Sequence, residues 1–216
     1  MNVRSYAQYC SLARTLDVVG DRWVLLIVRE LLTQGPCRFS DLRRGLPGIA
    51  SNLLADRLRD LETAGLVIRH EQPPPVAATL IGLTARGRDL TGVVRELTRW
   101  GAPLMAAPAQ GDAFRVHWFA LPLRHLCTDH TPQAPSSVVR LGDLTDGCDI
   151  IAAHGRVDVL PCSTDYRPDV TITGPPQVFV ALFTGAMPLP TAMTMGLTVI
   201  GSVTALERVL PRRTGA

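Results

Sequence analysis

The sequence contains no lysine: all 22 residues counted as lysine plus arginine are arginine. That bias follows from GC-rich coding as readily as from function, so arginine abundance says little and arginine position has to carry any argument about phosphate. Long apolar runs are also missing. None approaches the roughly 18 residues of a membrane span, and the opening MNVRSYAQYC lacks the apolar stretch of a signal peptide. Cys10, Cys37, Cys127, Cys148 and Cys162 are scattered and odd in number, against a secreted disulfide framework. These absences predict a cytoplasmic protein with no membrane partner. Charged residues make up 19% and hydrophobic residues 46%, enough to bury a core and too apolar for a disordered chain.

Signatures of catalysis are absent as well. There is no Gly-x-Ser-x-Gly elbow and no phosphate-cradling loop. Cys127-Thr128-Asp129-His130, with His117 and His125 upstream, fits no paired Cys-x2-Cys or His-Glu-x2-His framework. Asp143, Asp146 and Asp149 read as loop-capping groups. The expectation is a non-enzyme with no cofactor and no metal.

The chain of 216 residues divides by pattern. A helical first half with a short hairpin ends near Arg99-Trp100-Gly101. Residues Ala106 to Asp112 are small, Pro- and Gly-bearing and nonperiodic, the look of a boundary. Short β-like runs and apolar helical segments follow, and no internal repeat appears. Two domains are expected, at 1–107 and 112–212. From Met1 to Ala107 there are 14 arginines against 10 acidic residues, and from Pro108 to Ala216 there are 8 against 9. The net charge of +3 therefore sits in the first half.

Within that half, Leu16, Val19, Trp23, Leu26, Ile27 and Leu31 keep helical period, interrupted at Gly20-Asp21, where Asp21 is placed to cap a new helix. Gly35-Pro36 ends it, Cys37-Arg38-Phe39 is extended, and Ser40 caps a brief helix from Asp41 to Gly45. Arg43 and Arg44 lie at the end of this helix. After the turn Leu46-Pro47-Gly48, a helix opens at Ser51 or the residue before and runs to about Ala64. At 100° per residue, Leu54, Leu58 and Leu61 share an inward face. Asn52, Asp56, Arg59 and Thr63 share the opposite face, with Ser51 and Ala55 beside it. Such a polar face is merely solvated in many proteins, yet it also offers both donors and acceptors to base edges in a major groove. Arg57 is nearer the buried flank and reads as a brace or phosphate contact. Strands at Leu66–Glu71, carrying Arg69, and at Thr79–Thr84 flank a proline-rich tip, Gln72 to Ala78. This is the winged helix-turn-helix order. A helix from Ala85 to about Met105 then carries an apolar stripe, Leu90, Val93, Val94, Leu97, Trp100 and Leu104, suited to intrachain core or to a dimer.

Cys10, Leu16-Asp17-Val18-Val19-Gly20-Asp21-Arg22-Trp23, Arg38-Phe39-Ser40-Asp41-Leu42, Gly48-Ile49 and Arg57-Leu58 through Gly65-Leu66-Val67 closely resemble the HxlR family of bacterial winged-helix regulators. So do Leu83-Thr84-Ala85-Arg86-Gly87-Arg88-Asp89-Leu90 and Trp100-Gly101, and the resemblance covers about the first 100 residues. Asp21-Arg22 replaces the usual Gly-Lys, Ile81 stands where tyrosine is usual, and the wing tip is not basic. The resemblance implies a homodimeric repressor, joined by the N-terminal segment and the helix after the wing, on a pseudo-palindromic double-stranded DNA operator. The residues expected to serve it are Ser51, Asn52, Ala55, Asp56 and Arg59 in the groove and Arg43, Arg44, Arg57 and Arg69 nearest the backbone. Cys10 sits where several such regulators carry a redox-sensing thiol.

In the second half, Val138–Leu141, Cys148–Ala153, Arg156–Leu160 and Asp169–Gly174 read as strands, with Asp146-Gly147 and His154-Gly155 as hairpin turns. Helical segments at Gln177–Thr184 and Pro190–Met195, a strand at Leu197–Gly201 and a helix from Val203 to Leu210 complete an α+β layout, a meander sheet with helices on one face. Phe179, Phe183, Met187, Met193 and Met195 suit an ordinary core or a deformable cavity wall. The hairpin at His154-Gly155, the run Asp169 to Gly174, Leu182-Phe183-Thr184-Gly185 and Met195-Gly196-Leu197 through Gly201 resemble the sterol-carrier-protein fold. That resemblance implies a small apolar effector, fatty-acyl or sterol-like, lodged among those five residues. Two alternatives stand beside it: a lipid carrier whose winged helix is only a dimer scaffold, and a thiol switch acting through Cys10.

Overall fold

A computed structural model describes residues 5–73, 78–105 and 111–212. Most of the wing tip (74–77) and most of the boundary segment (106–110) lie outside the described residues. The chain forms two compact units, Met1–Ala109 and Gln110–Ala216. Among the described residues, no helix is long and apolar enough to cross a membrane.

The first unit runs α1 (Ser11–Val19), α2 (Val24–Gln34), α3 (Phe39–Arg44), α4 (Ser51–Thr63), β1 (Val67–Gln72), β2 (Ala78–Leu83), α5 (Ala85–Arg88) and α6 (Thr91–Gly101), then a 3-10 turn, Ala102–Met105. The break after α1 falls where Gly20 was expected to interrupt it, but Asp21 does not cap α2. The capping position is Trp23, in left-handed backbone at φ 82°, with the Arg22 guanidinium 5.6 Å from its ring centroid. The Asp21 carboxylate pairs instead with Arg57, 3.1 Å away. Nor does Ser40 cap α3. The helix starts two residues earlier because the Arg38 carbonyl accepts from the N–H groups of Asp41 and Leu42, which draws Leu42 into the core. The wing strands pair antiparallel, and Cys37 adds a one-residue bridge to Ile81. The expected single helix after the wing is divided. The Thr84 hydroxyl caps α5 through the Gly87 N–H, and the Leu90 N–H turns to the Gly87 carbonyl at 3.2 Å, so the chain tightens before α6 begins.

Glu30, on α2, is fully buried. Its carboxylate accepts from Arg29 at 2.6 Å and from Gln34 at 2.5 Å. It lies so close to Gly45 that a Cβ there would overlap it. Gly45→Ala should therefore destabilise the chain by about 1–3 kcal/mol, as overpacking does in a filled core, and a denaturant midpoint unchanged from wild type would refute this.

The second unit has a 3-10 turn at Val116–Phe119 leading into α7 (Ala120–Leu126), then β3 (Ser137–Gly142), β4 (Gly147–Ala153), β5 (Arg156–Pro161), β6 (Val170–Thr173), α8 (Pro176–Phe183), α9 (Leu189–Thr194), β7 (Thr198–Gly201) and α10 (Val203–Val209). Sequence pattern gave no sign of α7. Only β3, β4 and β5 form a meander. The sheet order is β5-β4-β3-β6-β7, with β6 parallel to β3, so the sheet is mixed. The β4–β5 turn is the expected two-residue one, with His154 at φ 52° and Gly155 at φ 78°. Asp146-Gly147 is not such a turn. Gly147 already belongs to β4, and the loop 143–146 closes on the Asp143 carboxylate, which accepts from the N–H groups of Thr145 and Asp146. Inward residues of the sheet (Val139, Leu141, Ile150, Ala152, Val170 and Ile172) pack against Leu123, Phe179, Leu182, Phe183 and Leu206 as one core.

Candidate nucleic-acid interface

Helix α4 is pinned from below. Leu54, Leu58 and Leu61 are all but inaccessible, while Ser51, Asn52, Asp56, Arg59 and Thr63 are exposed and Ala55 is half-buried. The turn before α4 is fixed by Arg43, whose guanidinium donates to the Ser51 hydroxyl at 2.8 Å. Arg44, also exposed, pairs with Asp41 at 3.3 Å. Arg57 bridges outward to Asp60 at 2.8 Å and back to Asp21, so it ties α4 to the turn between α1 and α2. Arg69 on β1 reaches Glu62 at 2.5 Å, which ties the wing strand to the same helix. Arg59 pairs with Asp56 one turn away on the exposed face.

The nine residues expected at DNA thus fall on α3, α4 and β1 of one unit. Ser51, Asn52, Asp56 and Arg59 share the exposed face of α4, and Arg57 is engaged as a brace. Sequence reading missed Glu62 and the pairing role of Asp21. The Asp56–Arg59 spacing was visible as an i, i+3 pair. Glu62 and Arg69 straddle a helix-to-strand turn, and nothing in periodicity announces that contact.

Cys10 is exposed at the residue preceding α1, whereas Cys37, Cys127 and Cys148 are buried. Burial pushes the Cys37, Cys127 and Cys162 thiols up to about 12 and the Cys148 thiol higher still. Among the described residues, no group of three His, Cys, Asp or Glu gathers as a metal site. Asp149 accepts from the Ser163 N–H of the loop after β5 at 3.2 Å, as the expected loop-capping group does. It is buried on β4, where Arg140 donates to both its oxygens at 2.7 Å.

Of the five residues expected to line a cavity, Phe179, Phe183 and Met187 meet at one core, while Met193 and Met195 do not join them. Phe179 and Phe183 fill the core, with Phe179 6.3 Å from the Phe119 ring. Met187 is half-buried at an open recess of about 320 Å³ that Leu182, Leu189 and Leu210 also line. Met193 and Met195, on and after α9, are exposed at 46% and 54%.

The HxlR-like helix-turn-helix family matches residues 18–108, and the SCP-2 sterol transfer family matches residues 137–209. The HTH-type transcriptional regulator YvaP of Bacillus subtilis is 34% identical over 87 residues, 40% of this chain and 80% of that protein. YtcD of the same organism is 36% identical over 108 residues, 49% of this chain and 82% of that one. A crystal structure of the regulator ytcD matches at 31% identity and a TM-score of 0.42, over 45% of this chain and 99% of its own. The chain, with its exposed helix α4 and paired wing strands, belongs to the HxlR-like helix-turn-helix transcriptional regulators, and its second half is similar to the SCP-2 sterol transfer family.

Proposed function

We propose that this regulator is a homodimeric repressor that reads a pseudo-palindromic operator through α4 and responds to a small apolar effector held by its second unit. The observation that carries the reading is the division of α4 into a buried leucine face and an exposed face of Ser51, Asn52, Asp56 and Arg59. Helix-turn-helix proteins place such a face in the major groove. The domains proposed are those at 1–107 and 112–212. Exposed apolar side chains on α1 and α6 support the dimer. The match to the SCP-2 sterol transfer family supports the effector, as does the recess beside Met187.

Selection of genomic fragments with the purified chain, repeated after lipid extraction, tests the whole reading. Asn52→Ala with Arg59→Ala should lower affinity for a selected fragment roughly a hundredfold while leaving the fold intact, since each good base contact contributes about 1–3 kcal/mol. Affinity should also fall as salt rises. Unchanged affinity removes α4 from the groove, and tight lipid binding without sequence preference favours the carrier alternative. Cys10 supports a second reading, a thiol switch, because it is exposed while Cys162 is half-buried and the other three cysteines are buried. Cys10→Ser should then abolish any loss of DNA binding caused by oxidant, and a response that survives the change excludes the switch.

A further inference from the structure

Four of the arginines around α4 are already matched to carboxylates, Arg59 to Asp56, Arg57 to Asp60 and Asp21, Arg69 to Glu62, and Arg44 to Asp41, while Arg43 donates to the Ser51 hydroxyl. A reader that relied on phosphate attraction would not be expected to neutralise its own face. Asp56 stands at the middle of the exposed side of α4, between Asn52 and Arg59. Its side chain is 52% exposed and that of Arg59 is 71% exposed. An ion pair so open to water is weak and readily exchanged for other partners.

We propose that Asp56 and Arg59 separate on binding and read one cytosine–guanine step together, with Asp56 the residue that sets specificity. The inference rests on α4 lying in the major groove. Arg59 supplies a donor fork suited to guanine O6 and N7, and the Asp56 carboxylate, which only accepts, takes the N4 amino group of cytosine. Guanine and thymine turn acceptors toward that carboxylate. Adenine offers an amino group, but its neighbouring N7 faces the second carboxylate oxygen. With guanine or thymine, Asp56 is left without a donor beside the phosphates, and with adenine one of its oxygens faces a lone pair, so the wrong sequence is penalised as well as the right one favoured.

The experiment is selection from a random duplex library by the full chain, comparing wild type with Asp56→Ala, Asp56→Asn and, as a charge control in the other unit, Asp158→Asn. Wild type should enrich a site in which replacing one C·G pair costs roughly tenfold or more. Asp56→Ala should lose that discrimination alone, bind unrelated duplex several-fold more tightly and show a log–log salt slope steeper by about one, because Arg59 is released to a phosphate. Asp56→Asn should shift the preferred base at that position toward adenine, since an amide matches adenine N6 and N7. Asp158→Asn should reproduce none of these changes. If Asp56→Ala and Asp56→Asn retain the wild-type site and its discrimination, or lose affinity uniformly across all sequences, the pair does not read this step. If wild type itself enriches no site, the operator reading fails first.

Discussion

Replacing Arg208 by alanine should destabilise the chain by about 3–5 kcal/mol, the usual cost of leaving one half of a buried ion pair alone. Arg208 and Asp129 meet through two hydrogen bonds, 2.8 and 3.0 Å, with side chains only 5% and 0% exposed. The guanidinium also donates to the Pro135 carbonyl, and Asp129 accepts from the N–H groups of Thr131 and Gly155. This one carboxylate therefore fixes α10, the segment leading to β3 and the β4–β5 turn at once. Alanine leaves it buried with only the two backbone donors. Thermal unfolding of the full chain should shift downward by on the order of ten degrees or more in the transition that includes this unit. The apolar double replacement Arg208→Met with Asp129→Leu should recover much of the loss, because it removes the charge left behind. A fall of less than about 1 kcal/mol in the single variant would mean that water reaches Asp129 in the native state.

The same pair sets a pH dependence. The Arg208 guanidinium beside Asp129 holds its carboxyl well below the usual carboxylate range. A carboxyl whose native pKa lies below its unfolded value of about 4 contributes stability that is complete above that value. The contribution disappears as pH falls toward the depressed native value. Wild type should thus lose stability on acidification below about pH 4, and Asp129→Asn should lack that component while being less stable at neutral pH.

A chain carrying Leu97→Asp and Trp100→Glu should be monomeric and should bind its operator about 10²–10⁴-fold more weakly. Leu97, Trp100 and Leu104 stand 48%, 75% and 75% exposed on α6 and the turn after it, and Tyr9 and Leu12 are open at the start of α1. Large apolar side chains exposed in this way mark an interaction surface. A second copy is the proposed occupant, with symmetry placing two α4 helices one turn of DNA apart. Two linked half-sites multiply affinity without any new contact, so loss of the dimer removes the second engagement. Sedimentation equilibrium reads the mass, and titration of a selected duplex reads the affinity. A wild-type chain that is monomeric at micromolar concentration would sink the dimer.

Much of both units was legible from neighbours within a few positions. The inward set Leu54, Leu58 and Leu61 follows from helical period, and the His154-Gly155 turn from residues that tolerate positive φ. The division of the helix after the wing was not legible, because the tightening at Gly87–Leu90 depends on hydroxyl and carbonyl positions that leave no mark on the apolar stripe. Nor was the exposure of Met193 and Met195, apart from Phe179, Phe183 and Met187. Aromatic rings and thioethers suit core, cavity and surface alike, and only the packing of α8 and α9 assigns them.

By itself the sequence determined the order of the elements from α1 to β2, the polar and apolar sides of α4 and the regulator family, since these depend on local periodicity and on motifs read in order along the chain. Tertiary structure alone decided the ion pairs between distant residues, from Arg57 with Asp21 to Arg208 with Asp129, 79 positions apart. It also decided that β6 lies parallel to β3. A charge carries no record of its partner in the residues beside it, and a strand's neighbour is chosen by how the whole sheet buries its apolar face.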